Sequence, residues 1–272
     1  MSDIQRIFTN KPIKNGGIVV AGNGLGFDKD HVGTLVREVI DPPTFANYTG
    51  TWVCPDNITK VLVECWGQGG RGGTAQTVWG GAGGGGGAAY AASLLDVIPS
   101  SSYDFVVANN SGTAASTWFS GQTVLFAARG SAGGNPTAGA GGRASGCYGQ
   151  VTIDGDNGGS GTNETVSSEY IISPYVGAEC YGGGGGNAAN FANGGGLGSP
   201  RTLATGVGAI GTAPGGGGSG AKRTSSGTFS GGIGGAGRII ISYYVQTPTL
   251  SVGIGTIQDK YTERFDDPTY YE

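Results

Sequence analysis

A chain of 272 residues with 59 glycines, 12% charged residues and a net charge of −4 has no electrostatic reason to bind nucleic acid or an anionic membrane surface. No apolar run reaches the ~20 residues that a bilayer-spanning helix needs. Disordered chains are usually rich in charge and poor in aromatic residues, whereas this one is 9% aromatic, so its glycine is expected to be structured.

The start, Met1-Ser2-Asp3-Ile4-Gln5, lacks a basic segment followed by an apolar one. The expectation is a protein made in a cytoplasm, and either kept there or carried out in a particle assembled there. Residues 1–44 read as a small β region. Gly17–Val20 and Thr34–Ile40 are its strands, the second with Leu35, Arg37 and Val39 on one face and Val36, Glu38 and Ile40 on the other. Asp41-Pro42-Pro43 ends it, because proline donates no ladder hydrogen bond. Two short strands cannot bury a core alone, so this region is expected to serve attachment or oligomerisation, with a homotrimer as the expected state.

Residues 45–245 read as the main body. Tyr48–Cys54 and Thr59–Trp66 look like a hairpin turning at Pro55-Asp56-Asn57-Ile58, with Val61, Val63 and Cys65 on one face and Leu62, Glu64 and Trp66 on the other. Strands are then expected at Ala88–Ala92, Tyr103–Val107, Gln122–Phe126 and Gln150–Ile153. The β-branched run Arg238–Val245 closes the body as a buried strand. No helical periodicity of useful length occurs, so the class is all-β. Residues 246–272 form a C-terminal arm whose Tyr261, Phe265, Tyr270 and Tyr271 are candidates for docking on a neighbouring protein.

Of the four cysteines, Cys54 and Cys65 are too far apart in the expected hairpin to bond: six residues at ~3.3 Å each, against the ~7 Å Cα separation that a disulfide tolerates. With no CxxC and one histidine, His31, a metal site is not expected. Buried free thiols are the reading. Asp154 and Asp156 resemble a small calcium loop but lack the closing glutamate of an EF-hand, and a turn is expected there.

The glycine tracts, Gly83–Gly87, Gly182–Gly186, Gly194–Gly196 and Gly215–Gly218, lack the strict three-residue repeat of collagen. The nearest approach to a phosphate-binding loop, Gly220-Ala221-Lys222-Arg223-Thr224, misplaces its lysine. What remains is a packed array of extended, polyproline-II-like segments. Without Cβ atoms, backbones approach until N–H and C=O pair between segments.

The stretch Pro55-Asp56-Asn57-Ile58-Thr59-Lys60-Val61, continuing to Trp66-Gly67-Gln68-Gly69-Gly70 and closing at Gly234-Gly235-Ala236-Gly237-Arg238-Ile239, resembles the glycine-rich domain of bacteriophage tail-fibre and appendage proteins. The resemblance covers about residues 45–245. It implies a β-sandwich, jelly-roll-like, with polyglycine segments, in a virion protein concerned with host recognition. The chain is also similar to fibre-tip adhesins whose polyglycine helices pack as a sandwich and display variable loops. Expected partners are other virion proteins and a host surface glycan or outer-membrane protein, with no cofactor and no nucleic acid.

Candidate receptor-binding residues are the aromatics beside glycine-rich or polar loops: Trp79, Trp118, Phe119, Tyr148 and Tyr181, with Tyr175, Phe191 and Phe229 nearby in kind. Aromatic faces stack on sugars and anchor interfaces. For Trp79 and Trp118, ligand contact and packing on the array are both open; packing is expected for the rest. A head-fibre, decoration or adaptor protein without its own receptor is the alternative reading. A glycan-cleaving enzyme would need paired carboxylates, for which the body has few acids: Glu64, Asp96, Asp104, Asp154, Asp156, Glu164, Glu169 and Glu179. The expectation is therefore no enzymatic activity.

Overall fold

The structure, a computed structural model, describes residues 5–9, 20–21, 24–25, 33–43, 46–76, 80–109, 116–162, 180–190, 195–224 and 226–245. In chain order its strands are β1 Gln5–Thr9, β2 Val20–Ala21, β3 Gly24–Leu25, β4 Thr34–Ile40, β5 Tyr48–Val53, β6 Lys60–Trp66, β7 Gly80–Gly81, β8 Tyr90–Asp96, β9 Ser102–Val107, β10 Thr117–Phe119, β11 Leu125–Ala127, β12 Val151–Ile153, β13 Lys222–Arg223 and β14 Arg238–Val245. The only helical element among the described residues is one 3-10 turn, Ala144–Gly146. The all-β class holds. The C-terminal arm, with Tyr261, Phe265, Tyr270 and Tyr271, lies outside the described residues, as do Trp79, Tyr175, Phe191 and His31.

Two antiparallel sheets face each other, one in the order β1-β4-β14-β6-β8-β12 and the other β11-β10-β9-β5. Alternation puts one side of each strand between them. Val61, Val63 and Cys65 of β6 meet Ile239, Ile241 and Tyr243 of β14, with Trp52, Phe105, Phe119 and Leu125 opposite. β4 pairs with β14 along its length and gives Val36 and Ile40 to the same core. The other face of the large sheet is covered at one end. There Trp66, Tyr90 and Ile240 pack under Ala188 and Ala189, and the Trp66 indole donates to the Ala189 carbonyl (3.0 Å).

The expected hairpin is not formed. β5 pairs with β9 and β6 with β8 and β14, so the chain crosses from one sheet to the other at Pro55–Thr59. Both strands have an apolar face, Trp52 on one and Val61, Val63 and Cys65 on the other. Placing them in opposite sheets buries both against each other. β10 was not expected, and residues 122–124, expected as the start of a strand, form a turn before Leu125.

All four cysteines are free, with Cys54, Cys65 and Cys180 buried. Burial pushes the Cys65 thiol well above its ordinary range, reinforced by Glu64. Burial also raises Cys54 and Cys147. Since the thiolate is the nucleophile, iodoacetamide at neutral pH should label the native protein slowly and the denatured protein fast. Rapid labelling of native Cys65 would show that the core opens.

Candidate functional site

The glycine tracts build a lattice on the end of this sandwich. Its centre is the wholly buried run 80–90, whose hydrogen bonds rotate through three neighbours. Gly83, Gly86 and Ala89 donate to Gly134, Ser131 and Ala128 (2.8, 3.0 and 2.9 Å). Gly84 and Gly87 donate to Gly159 and Asp156 (2.9 and 2.8 Å), and Gly85 and Ala88 to Gly218 and Gly215 (2.8 Å each). Its carbonyls rotate likewise. Gly83 and Gly86 accept from Gly73 and Gly70, Gly84 and Gly87 from Gly139 and Gly142, and Gly85 and Ala88 from Gly186 and Ala189.

A three-residue rotation is the period of a polyproline-II helix, which makes no bonds within itself and offers every one outward. The six neighbours also bond to one another in a closed ring. Gly133 donates to Arg71, Ser131 to Ala140, Gly158 to Gly139, Gly159 to Gly184, Gly217 to Gly186 and Gly218 to Gly70. The central segment is thus held in a hexagon. Acceptor numbers fall as donor numbers rise for 128–134, 156–159 and 215–218, which run antiparallel to the centre. Segments 139–142 and 186–189 run parallel to it.

A second tier lies outside 215–221. Ser199 donates to Gly217, Ser219 to Ala209, Thr212 to Leu197, Gly232 to Ser219 and Gly72 to Gly232. The lattice explains the composition. At Gly85, Gly185 and Gly217 a Cβ would stand far inside 3.0 Å of a facing carbonyl.

Strand and lattice are one chain path, so the lattice has a defined far end. Gly67, Ala89, Ala128 and Gly237 adjoin β6, β8, β11 and β14. Ala75, Gly81, Gly134 and Phe229 therefore mark the end away from the sandwich. Gly182 and Thr202 exchange hydrogen bonds there (3.0 and 2.9 Å), as do Gly206 and Lys222 (2.9 and 3.1 Å), and β7 pairs with β13. The connections between segments at this end begin at Gln76, Gly134, Thr162, Thr202 and Arg223.

Tyr181 belongs to this end. Its N–H donates to Thr162 Oγ1 (2.8 Å), and the Arg201 guanidinium lies over its ring, 4.7 Å from the centroid. Lys222 donates to the Leu203 carbonyl (2.7 Å) and Arg223 to that of Gln76. Cations beside an aromatic face form a surface able to hold polar or anionic groups. Arg201 was not singled out in the sequence, and Lys222 and Arg223 were met there only in a failed match to a phosphate-binding loop, because nothing in the sequence shows that their segments end together.

Trp118 and Tyr148 come together elsewhere, on the outer face of the four-stranded sheet. Tyr148 bridges to Phe126, Phe126 pairs with Trp118 and Trp118 with Val106. Directly opposed residues share a face, so these side chains form a row. Tyr148 is 53% exposed and Trp118 half-buried. Trp52 and Trp66 give their indole N–H to Glu38 and Ala189, and for that of Trp118 the described residues supply no hydrogen-bond acceptor. Phe119 leaves the candidate set. As the neighbour of Trp118 on β10 it points the other way, is fully buried and stacks on Tyr103 (6.0 Å, 14°).

Asp154 and Asp156 serve local structure. Asp154 accepts from the Ala144 N–H (2.5 Å) and Asp156 from the Asn187 amide (3.0 Å). Among the described residues no group of three metal-ligating side chains converges, and no helix is long and apolar enough to cross a membrane.

The fold and its lattice define a glycine-rich β-sandwich. The family model of the glycine-rich domain matches residues 44–244, and the chain belongs to that family. No curated protein matches the chain.

Proposed function

We propose that this protein is a bacteriophage virion fibre or appendage protein that binds the host surface through the far end of its glycine lattice. The observation that carries the reading is the hexagon. It fixes seven backbone segments against one another by hydrogen bonds of 2.7–3.2 Å and brings the segment ends at Gln76, Gly134, Thr162, Thr202 and Arg223 to the side remote from the sandwich. A rigid scaffold that holds variable connections together is the usual plan of a recognition surface. The likeness to fibre-tip adhesins supports the same use. Tyr181 with Arg201, beside Lys222 and Arg223, is the described part of that surface. The row of Trp118, Phe126 and Tyr148 offers a second aromatic contact on the side.

Labelled protein should bind intact cells of a susceptible bacterial strain and compete with the particle for them. Replacing Tyr181 and Arg201 together by alanine should weaken that binding about tenfold or more, the loss of roughly 1.4 kcal/mol, at an unchanged melting temperature. Full cell binding by this variant, and by one lacking residues 203–205, would exclude the far end as the contact.

A further inference from the structure

The four-stranded sheet ends at β5, which pairs with β9 on one side. The Cys54 N–H donates to the Ser101 carbonyl (2.9 Å), and that sets the phase of the ladder. Tyr48, Gly50 and Trp52, in phase with Cys54, bond to β9, whereas Thr49, Thr51 and Val53 turn their N–H and C=O groups to the free edge. Among the described residues nothing pairs with that edge. A row of unpaired backbone groups is a template for another strand.

The core is also unfinished beside this edge. Ile239, Ile241 and Tyr243 of β14 are buried between the sheets, yet Val245, next on the same face, is 42% exposed. It lines a groove of about 430 Å³ with Val36 and Tyr243 of the large sheet and Val53, Cys54 and Pro55 of the small one. The groove opens at the end of the sandwich away from the lattice, where β5 and β14 both finish.

We infer that Leu250–Ile257 of the same chain is a fifth strand of the small sheet, antiparallel to β5, that closes this groove. The segment lies outside the described residues, and three observations select it. The last described residue, Val245, is itself a wall of the groove. The step from Val245 to Leu250 can span roughly 16 Å, more than the ~10 Å between packed sheets. Both β14 and β5 run away from the lattice, so a chain that turns back after Val245 runs antiparallel to β5. The sequence Leu250-Ser251-Val252-Gly253-Ile254-Gly255 alternates apolar with small residues, the pattern of a strand with one buried face. Any antiparallel register that turns Leu250, Val252 and Ile254 inward sets Ser251, Gly253 and Gly255 opposite Thr49, Thr51 or Val53, whose ladder groups are the free ones. A tether of four residues gives the segment an effective concentration on the order of millimolar, which favours it over the same segment of another copy.

The test is cross-linking on the whole chain, with Thr51→Cys combined in turn with Ser251→Cys, Gly253→Cys and Gly255→Cys. Directly opposed Cα atoms of such a ladder are ~5.5 Å apart, within disulfide reach, and those offset by two residues are beyond it. One of the three combinations should therefore form a disulfide within the monomer under mild oxidation, at least about tenfold faster than the other two. The native thiols are free, so the parent chain treated alike is the blank. Thr49 and Thr51 are both exposed, and Thr49→Cys gives the same reading if Thr51→Cys disturbs the fold. Val252→Asp should lower the melting temperature by about 4 °C or more and Ser251→Asp by less than about 2 °C. Equal cross-linking at all three positions, or equal melting temperatures for the two aspartate variants, overturns the inference. So do disulfides that form between chains, which would place the segment on another copy. Neither readout involves the far end of the lattice, so this strand and the receptor contact stand or fall separately.

Discussion

Replacing Gly85 with alanine should cost about 3 kcal/mol or more, at the upper end of what overpacking a close-packed interior costs. Gly85 is the middle of the central segment. Its N–H donates to Gly218 (2.8 Å) and its carbonyl accepts from Gly186 (2.9 Å). A Cβ there would meet the Gly70 carbonyl oxygen and carbon, then the Arg71 carbonyl oxygen, all inside 3.0 Å. These are backbone atoms of a segment pinned by its own lattice bonds, so no side chain can swing away.

Separating 67–73 from the centre would stretch the Gly70-to-Gly86 and Gly73-to-Gly83 hydrogen bonds (2.7 and 2.8 Å). Buried amides left unpaired cost about 1–3 kcal/mol each. The same change at Gly146, where the nearest atom to a new Cβ is the Ala128 methyl at 4.0 Å, should be near neutral. Thermal unfolding of the two variants side by side is the measurement. Equal melting temperatures would mean that the central run is not packed as described.

The lattice itself was readable in the sequence, because irregularly spaced glycine clusters between strands exclude collagen and leave close backbone packing. Its hexagonal plan was not. Whether Gly85 faces Gly218 or some other tract depends on which segments meet, and identical glycines carry no information about their partners. The strands that the sequence reveals best are those with several β-branched residues, such as Arg238–Val245. Thr117–Phe119 is too short to show a period, and that also hid which of Trp118 and Phe119 faces the core.

The misread hairpin has a related cause. Proline, aspartate and asparagine at 55–57 mark a turn whether the chain pairs back on itself or crosses to a facing sheet. Of the candidate residues, Tyr181 and Tyr148 could be named as aromatics beside loops. Their neighbours Arg201 and Phe126 come from distant parts of the chain and emerge only once the segments are paired.

Glu38→Ala should be among the most damaging changes in the sandwich, at about 2–5 kcal/mol from the void and the lost hydrogen bonds together. Alternation already placed Glu38 on the same face of β4 as Val36 and Ile40. The structure buries it to 1% exposure between the sheets. The Trp52 indole donates to one of its oxygens (3.2 Å) and the Tyr243 hydroxyl to the other. Trp52 also packs against Phe119 and Tyr243 (6.0 and 6.1 Å). The carboxylate therefore clamps a strand of each sheet to the aromatic centre of the core.

Alanine would take this acceptor from two buried donors and open a void where the carboxyl group had been, and both effects destabilise. Glutamine keeps the volume and an acceptor for one donor, so Glu38→Gln should retain more than half of the lost stability. In the Trp52→Phe background the further cost of Glu38→Ala should shrink, since the indole hydrogen bond to the carboxylate is already gone. Denaturant unfolding of the two single variants and the double one closes that cycle. Additive losses would show that the carboxylate and the indole contribute independently, and that the clamp does not exist.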